Sequence, residues 1–340
     1  MTTTLTHPEW DKETGGLEVA KTFAERIRGK NVLITGVSPE SIGSSIALSI
    51  ASQSPALLIL ASRTQHKLDE VVKSIKDAYP DTHVKTVLLD LMSQDSVKAA
   101  AAEVAQLTNR LDLVINNAGF MSQKRQWTRE GIEGQFGANH IGHFLFTNLL
   151  IPQLLTSASS NATGATRVIN LTSLGHRLSP IRFSDYNLEK LGDEVPPEEM
   201  HAPLPPMFQQ STDDGYIGFV AYGQAKTANI LFSVALNERL SGKGVASYAV
   251  HPGSIWTGLS RDLDPDGEAA IRKTSPFWKN HDQGAATVLV AALDPALDEP
   301  KGVLLHDCQI FGAAPHATDP KVAERLWALS EKLVQQKFKL

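Results

Sequence analysis

Residues 31–43 read NVLITGVSPESIG, and the fold turns on this stretch. Asn31–Thr35 is a short run of strand-forming, mostly apolar residues without polar alternation, the pattern of a strand buried on both faces of a parallel sheet. It runs directly into Gly36, and a helical pattern opens at Ser41. A glycine-bearing turn between strand and helix lets a phosphate approach backbone N–H groups at a helix N-terminus. The turn departs from the commonest form, because Ser41 stands where a middle glycine is usual and the turn is about one residue longer. Taken alone the signal is weak, with an ordinary strand-to-helix turn as the plainer alternative.

Outward from this stretch the alternation repeats. Residues 57–61 (LLILA), 84–89 (VKTVLL), 111–116 (LDLVIN), 167–172 (RVINLT), 245–250 (VASYAV) and 303–306 read as further strands. Helical periodicity covers 41–54, 65–78, 94–107, 129–155, 221–240 and 283–293, with 321–336 as a C-terminal amphipathic helix. Strands and helices in alternation predict an α/β, Rossmann-like, doubly wound fold with a mostly parallel seven-stranded sheet and helices on both faces. Residues 1–29 read as a polar N-terminal extension with a short helix over 17–28, and 30–340 as a single Rossmann-like domain. Two insertions interrupt that domain, a Pro-rich one at about 176–218 and another at about 258–280. Long irregular segments in compact domains are often binding loops or lids.

Composition excludes several function classes. The 340 residues carry 32 Lys and Arg against 37 Asp and Glu, and the net charge of −5 argues against a nucleic-acid binder, which needs a basic face. A single cysteine, Cys308, rules out an internal disulfide and points to a reducing compartment, so a cytoplasmic location is expected. Residues 1–29 lack the apolar core of a signal peptide, and no run approaches the roughly 18–20 apolar residues of a membrane span. The sequons at Asn161 and Asn170 carry little weight without a secretory route. His140 and His143 are spaced i, i+3 but suggest no third ligand, so no metal is expected.

The end of the second strand sharpens the nucleotide reading. Dinucleotide folds place an acidic residue about 20 positions beyond the glycines to hold the ribose hydroxyls. Here the strand ends Ala61-Ser62-Arg63, with no carboxylate. A guanidinium there suits a 2′-phosphate through paired, charge-assisted contacts, with Ser62 and Ser38 adding hydroxyls. This favours NADP(H) over NAD(H); the plainer alternative is a solvated surface arginine. Asp90, followed by Leu91, ends the third strand, where its carboxylate can accept from an adenine amino group. The fourth strand ends Asn116-Asn117-Ala118-Gly119, small enough for the chain to pass close to a ribose.

Tyr222-Gly-Gln-Ala-Lys226 lies in a helical stretch, so its phenol and amine sit at i and i+4 on one face. A free tyrosine has a pKa near 10, and a neighbouring ammonium is expected to favour the phenolate and lower it. Such a phenol can give a proton to a developing alkoxide, the partner that hydride transfer to a carbonyl requires. Ser173, at the end of the fifth strand, can hold the substrate oxygen beside it. Asn139, in the helix after the fourth strand, can anchor a water near Lys226. A Tyr and a Lys at i, i+4 are more often an ordinary surface pair; the order of motifs, each at a strand end or on a following helix, tips the balance.

The chain resembles the short-chain dehydrogenase/reductase family over roughly residues 29–310. The resemblance rests on TGVSPESIG at 35–43, Asp90, NNAG at 116–119, Asn139, Ser173, Tyr222 with Lys226, and Pro252-Gly253 followed by Thr257. AYGQAKTANILF at 221–232 with SLGH at 173–176 is similar to the retinol-dehydrogenase-like branch, and the N-terminal extension with TGVSP resembles its fungal members. The resemblance implies Tyr222 as acid/base, Lys226 orienting the nicotinamide ribose, Ser173 positioning substrate and Asn139 on a proton relay. For the cofactor it implies Gly36, Ser38, Ser41, Ile42, Gly43, Ser62, Arg63, Asp90, Leu91, Asn117, Ala118, Gly119, Pro252 and Gly253, with the Ile255 backbone and Thr257 at the carboxamide and phosphates. The unusual first turn leaves open which amides of 36–43 meet the pyrophosphate. Copies would pair through the helices after the fourth and fifth strands, unless the insertions block it.

Candidate substrate-pocket residues are Met121 and Phe120 after NNAG, Tyr216 and Phe219 before Tyr222, His176 at the mouth, and Trp256, Leu259, Phe277 and Trp278 after the Pro-Gly motif, in a segment expected to act as a lid. Aromatic walls with few polar groups suit a bulky apolar carbonyl or alcohol. Two other activities stay compatible: reduction of a C=C bond or cyclisation and isomerisation, and regulation through cofactor binding without turnover.

Overall fold

Asn31–Thr35 forms β1, an interior strand of the sheet, in a computed structural model that describes residues 4–258, 265–300 and 302–340. The other strands are β2 (Leu57–Ser62), β3 (Val84–Leu88), β4 (Leu113–Asn116), β5 (Thr166–Leu171), β6 (Val245–His251), β7 (Leu304–His306) and β8 (Gln309–Phe311). Their order is β3-β2-β1-β4-β5-β6-β7-β8, parallel throughout except for β8. The helices are α1 (Gly16–Thr22), α2 (Ile42–Ala51), α3 (Gln65–Ala78), α4 (Gln94–Leu107), α5 (Gly134–Phe136), α6 (Gly142–Leu149), α7 (Ile151–Ala158), α8 (Gly218–Arg239), α9 (Pro265–Arg272), α10 (His281–Leu293) and α11 (Pro320–Leu333).

Side chains alternate along each strand, and in β1 this divides the core into two layers. Val32 and Ile34 join the cluster formed with α1, α2, α3 and α10, whereas Leu33 joins that of α4, α6, α8 and α11. Both faces are therefore covered, as the unbroken apolar strands require. Leu5, Trp10, Val19, Ala20, Phe23 and Ile27, all in the first 29 residues, belong to the first layer. Strand order reverses between β1 and β4, and their carboxyl ends open a crevice there, the usual ligand position in such sheets. No helix among the described residues is long and apolar enough to cross a membrane.

The structure corrects three readings. The sheet has eight strands, not seven, because β8 folds back on β7 through the two-residue turn Asp307-Cys308. Both turn residues have positive φ, 46° and 60°, a conformation normally announced by Asn or Gly, so the turn carries little sequence signal. Next, β3 is an edge strand with mostly exposed or half-exposed residues. Finally, residues 129–155 are not one helix. Chain 128–133 makes a turn, α5 starts on the Glu133 carboxylate, a π-helical turn spans Gly137–Ile141, and the helix restarts at Ile151 beside Pro152, which lacks a backbone donor.

Candidate active site

The crevice at the β1/β4 reversal is a cleft of about 340 Å³. The β1–α2 turn forms its floor. Gly36 has φ +71°, and a Cβ there would lie 2.5 Å from Ala118 Cα, so only glycine lets these strand ends approach. Ser41 caps α2: its hydroxyl accepts from Ser44 N–H at 3.2 Å and donates to Ser38 O at 2.7 Å. Glu40, not a glycine, takes the left-handed position of the lengthened turn, at φ +51°. Opposite, Asn117 Nδ2 donates to Thr35 O at 2.7 Å, and the Ala118 N–H to Thr35 Oγ1 at 3.0 Å. Thr35 Oγ1 lies 2.9 Å from His143 Nε2, whose Nδ1 meets Asn139 O at 3.1 Å. A carbonyl can only accept, so His143 carries its proton on Nδ1 and takes one from Thr35. Burial pushes its pKa to about 4, keeping it neutral.

Ser62, Arg63, Asp90 and Leu91 line the outer end of the cleft, joined by Thr64, Lys67 and Met92. Arg63 and Lys67 are exposed, and neither has an ion-pair partner among the described residues. Asp90 Oδ1 accepts from Met92 N–H at 3.0 Å. Lys67 carries no motif; its only sequence signal is its place in the first turn of α3, four residues beyond Arg63.

Tyr222 and Lys226 lie on α8 at the inner end, each almost fully buried. Lys226 Nζ donates to Leu171 O at 3.2 Å and lies 5.5 Å from the Tyr222 ring centre. Ser173, after β5, accepts from Gly175 N–H at 3.1 Å and shares a hydrogen bond with the Tyr222 phenol. Asn139 sits in the π turn; its amide accepts from Phe120 N–H at 2.9 Å and donates to Phe120 O at 3.0 Å. A Cβ on Gly119 would come within 3.2 Å of Asn139 Oδ1 and 3.3 Å of Lys226 Nζ, so glycine keeps this corner open. The four expected catalytic side chains thus converge.

The electrostatics differ from expectation. Burial pushes the Tyr222 phenol up to about 12, with the Ser173 hydrogen bond pulling the other way. Burial also pushes the Lys226 amine down to about 8. Desolvation, invisible in the i, i+4 spacing, is the largest cause of both shifts.

The residues assigned to the rest of the site divide. Pro252 and Thr257 line the cleft, while Gly253, at φ +101°, packs on the Lys279 chain and Ile255 packs on Gly284. Met121 and Phe219 are buried with Tyr222 in an apolar cluster bordered by Leu178, Phe208 and Ile271. Phe120 lines the cleft, whereas Tyr216 is buried and donates a hydrogen bond to Glu133 Oε1 at 2.8 Å. Trp256 lies outside, 37% exposed, between the Arg272 guanidinium and Trp278; Phe277 receives Lys12 over its ring. Leu259 lies outside the described residues. His176 does not reach the mouth: it is fully buried, with both ring nitrogens bonded to backbone. Cys308, the second residue of the β7–β8 turn, is buried, and burial pushes its thiol up to about 11.

The sequence profile described as short chain dehydrogenase matches residues 30–193. Retinol dehydrogenase 13 of Homo sapiens is 35% identical over 329 residues, covering 95% of this chain and 89% of that protein. The chain belongs to the short chain dehydrogenase family. Oxidoreductase fscI of Fusarium equiseti is 35% identical to this short chain dehydrogenase over 248 residues, 73% of the chain and 95% of the relative. Among solved structures, the Pseudomonas aeruginosa RhlG/NADP active-site complex superposes with a TM-score of 0.60 at 22% identity, covering 82% of this chain and 94% of that one. At that identity it shows the shared fold. Both curated relatives carry dehydrogenase or oxidoreductase names, and this short chain dehydrogenase shares with them an oxidoreductase family.

Proposed function

We propose that the protein is an NADP(H)-dependent oxidoreductase that interconverts a carbonyl and an alcohol on a bulky apolar small molecule. The observation that carries this is the convergence of Ser173, Tyr222 and Lys226 at the inner end of a cleft whose outer end holds two cations, Arg63 and Lys67, without ion-pair partners among the described residues. The residues fit the cofactor. Gly36, Gly43 and Gly119 leave cradles that a Cβ would fill, and the start of α2 offers first-turn N–H groups for phosphate. Arg63 and Lys67 supply the charge that a 2′-phosphate requires. When bound, the nicotinamide supplies the hydride.

The chain's own residues handle the proton. At neutral pH the Tyr222 phenol keeps its proton, because burial holds its pKa near 12. That suits a donor to an alkoxide forming on the substrate, a far stronger base than the phenolate, and so favours carbonyl reduction. Ser173 orients the phenol and the substrate oxygen. Lys226, with a pKa lowered to about 8, remains largely protonated and faces the same corner. Asn139 holds the Phe120 backbone, and with it the NNAG wall. Met121 and Phe219, with Phe208 and Ile271, form an apolar wall beside the phenol, fitting an apolar substrate. The single buried Cys308 accords with a reducing compartment such as the cytoplasm.

Tyr222→Phe tests the proposal, with NADPH consumption followed against ketones and aldehydes of graded size. Turnover should fall at least about 10²-fold, the scale of general acid catalysis, while NADPH binding measured by fluorescence stays near that of the unmodified protein. Full turnover in this variant would overturn the mechanism.

A further inference from the structure

We propose that His176 is a positioning residue: its ring fixes the carbonyl of Ser173 while its own carbonyl ties that turn to the helix carrying Tyr222 and Lys226. This rests on the catalytic reading above. His176 has no solvent exposure, and a buried imidazole needs both nitrogens satisfied. Nδ1 lies 2.7 Å from Ser173 O, which also takes the His176 backbone N–H at 3.1 Å. A carbonyl has no proton to give, so Nδ1 is the donor. Nε2 must then accept, and it takes the Ala314 N–H at 3.0 Å. One neutral tautomer satisfies every contact, whereas an imidazolium would set two N–H groups against each other. Burial, with Arg177 and His316 nearby, pushes the pKa to about 4 and keeps the ring in that tautomer.

The backbone completes the link. His176 O accepts from His316 Nε2 at 3.0 Å and shares the Thr227 hydroxyl proton with Ser179 O, at 2.9 and 2.8 Å from Thr227 Oγ1. Thr227 follows Lys226, and Lys226 O in turn accepts from Thr172 Oγ1 at 2.7 Å. Two oxygens of one turn, those of Ser173 and His176, are thus pinned, the second of them to α8. Gly175 lies between them under the Tyr222 ring; a Cβ there would be 3.2 Å from Cδ1, so a tilt of the turn would displace both the phenol and the Ser173 hydroxyl. The Ala314 contact braces the turn against the segment after β8, where Arg177 also donates to Gly312 O at 3.1 Å.

Two experiments test this. In histidine-labelled protein, ¹⁵N NMR should show His176 as the neutral Nδ1–H tautomer down to pH 5; an Nε2–H tautomer or a charged ring overturns the proposal. The kinetic test uses decanal or α-tetralone with NADPH. His176→Gln and His176→Leu should lower kcat about 10–100-fold, the cost of misplacing reacting groups by about 1 Å, with KM for NADPH within about 2-fold. His176→Asn, whose amide can replace the Nδ1–H donor, should recover most of kcat. In a Ser173→Ala background, His176→Gln should cost little more. Additive loss there, or no recovery with Asn, overturns the proposal, and melting temperatures identify any variant that fails to fold. Undiminished turnover by Tyr222→Phe and Ser173→Ala would remove the catalytic reading and this proposal together. Dependence on both residues, with additive His176 losses, would remove this proposal alone.

Discussion

Arg63 and Lys67 show how coenzyme choice comes down to single side chains. Both line the cleft's outer end, and neither has an acidic partner among the described residues, so a bound 2′-phosphate would not have to displace an ion pair. Arg63→Asp should lower kcat/KM for NADPH about 10–100-fold, the weight of a lost charge-assisted pair, and shift preference towards NADH. Lys67→Glu should act in the same direction and less strongly. Unchanged NADPH/NADH ratios in both variants would sink the phosphate assignment. Arg63 was legible because it ends a strand where an acid is usual; Lys67 was not, since a lysine in a first helical turn looks like any solvated surface residue. The Tyr222–Lys226 spacing was equally legible, but the direction of the Tyr222 shift was not, because burial depends on segments far away in the chain.

At the level of elements, the β7–β8 hairpin holds the segment that follows Pro252-Gly253. Lys279, 3% exposed, meets Asp307 Oδ1 at 2.6 Å, and its methylenes fill the space over Gly253. Asp307→Ala would leave a buried ammonium without its partner and place alanine at φ +46°, costing about 1–3 kcal/mol. Asp307→Asn tolerates that backbone and keeps an acceptor, so it should cost less. Urea unfolding of the two variants and the unmodified protein measures the differences; equal stability of the two variants would show that neither the acceptor nor the turn geometry matters here, and stability equal to that of the unmodified protein that the charge does not. The helices 65–78 and 94–107 could be read to the residue from apolar periodicity and their ends. The π turn and the hairpin could not, since a π turn shares the apolar periodicity of the helix around it and the hairpin uses a turn without glycine.

Across the whole molecule, several histidines are buried neutral. Burial pushes His140 to about 3 and His143 and His176 to about 4. Their unfolded value is near 6.5. Between about pH 6.5 and 4 the unfolded chain therefore binds protons that the fold refuses, and stability falls as pH falls through that window. Above it these groups contribute no further change. Each contributes up to about 1.4 kcal/mol per pH unit, so the three together should make acid unfolding steep. The urea midpoint should drop sharply between pH 6.5 and 5 and change little between 6.5 and 7.5, below the range where Lys226 titrates. A midpoint independent of pH down to 5 would mean that these rings are solvated.

The alternation of strands and helices, the doubly wound class and the order of the nucleotide and catalytic motifs were all determined by the sequence alone. These are local properties: side chains repeat every two residues in a strand and about every 3.6 in a helix, and a motif is contiguous. Only the tertiary structure decided which distant groups meet. His176 finds Ala314, Lys279 finds Asp307, and Tyr222 loses its water to Met121, Phe219 and their neighbours. Desolvation and long-range hydrogen bonds depend on packing between remote segments, and no spacing along the chain encodes them.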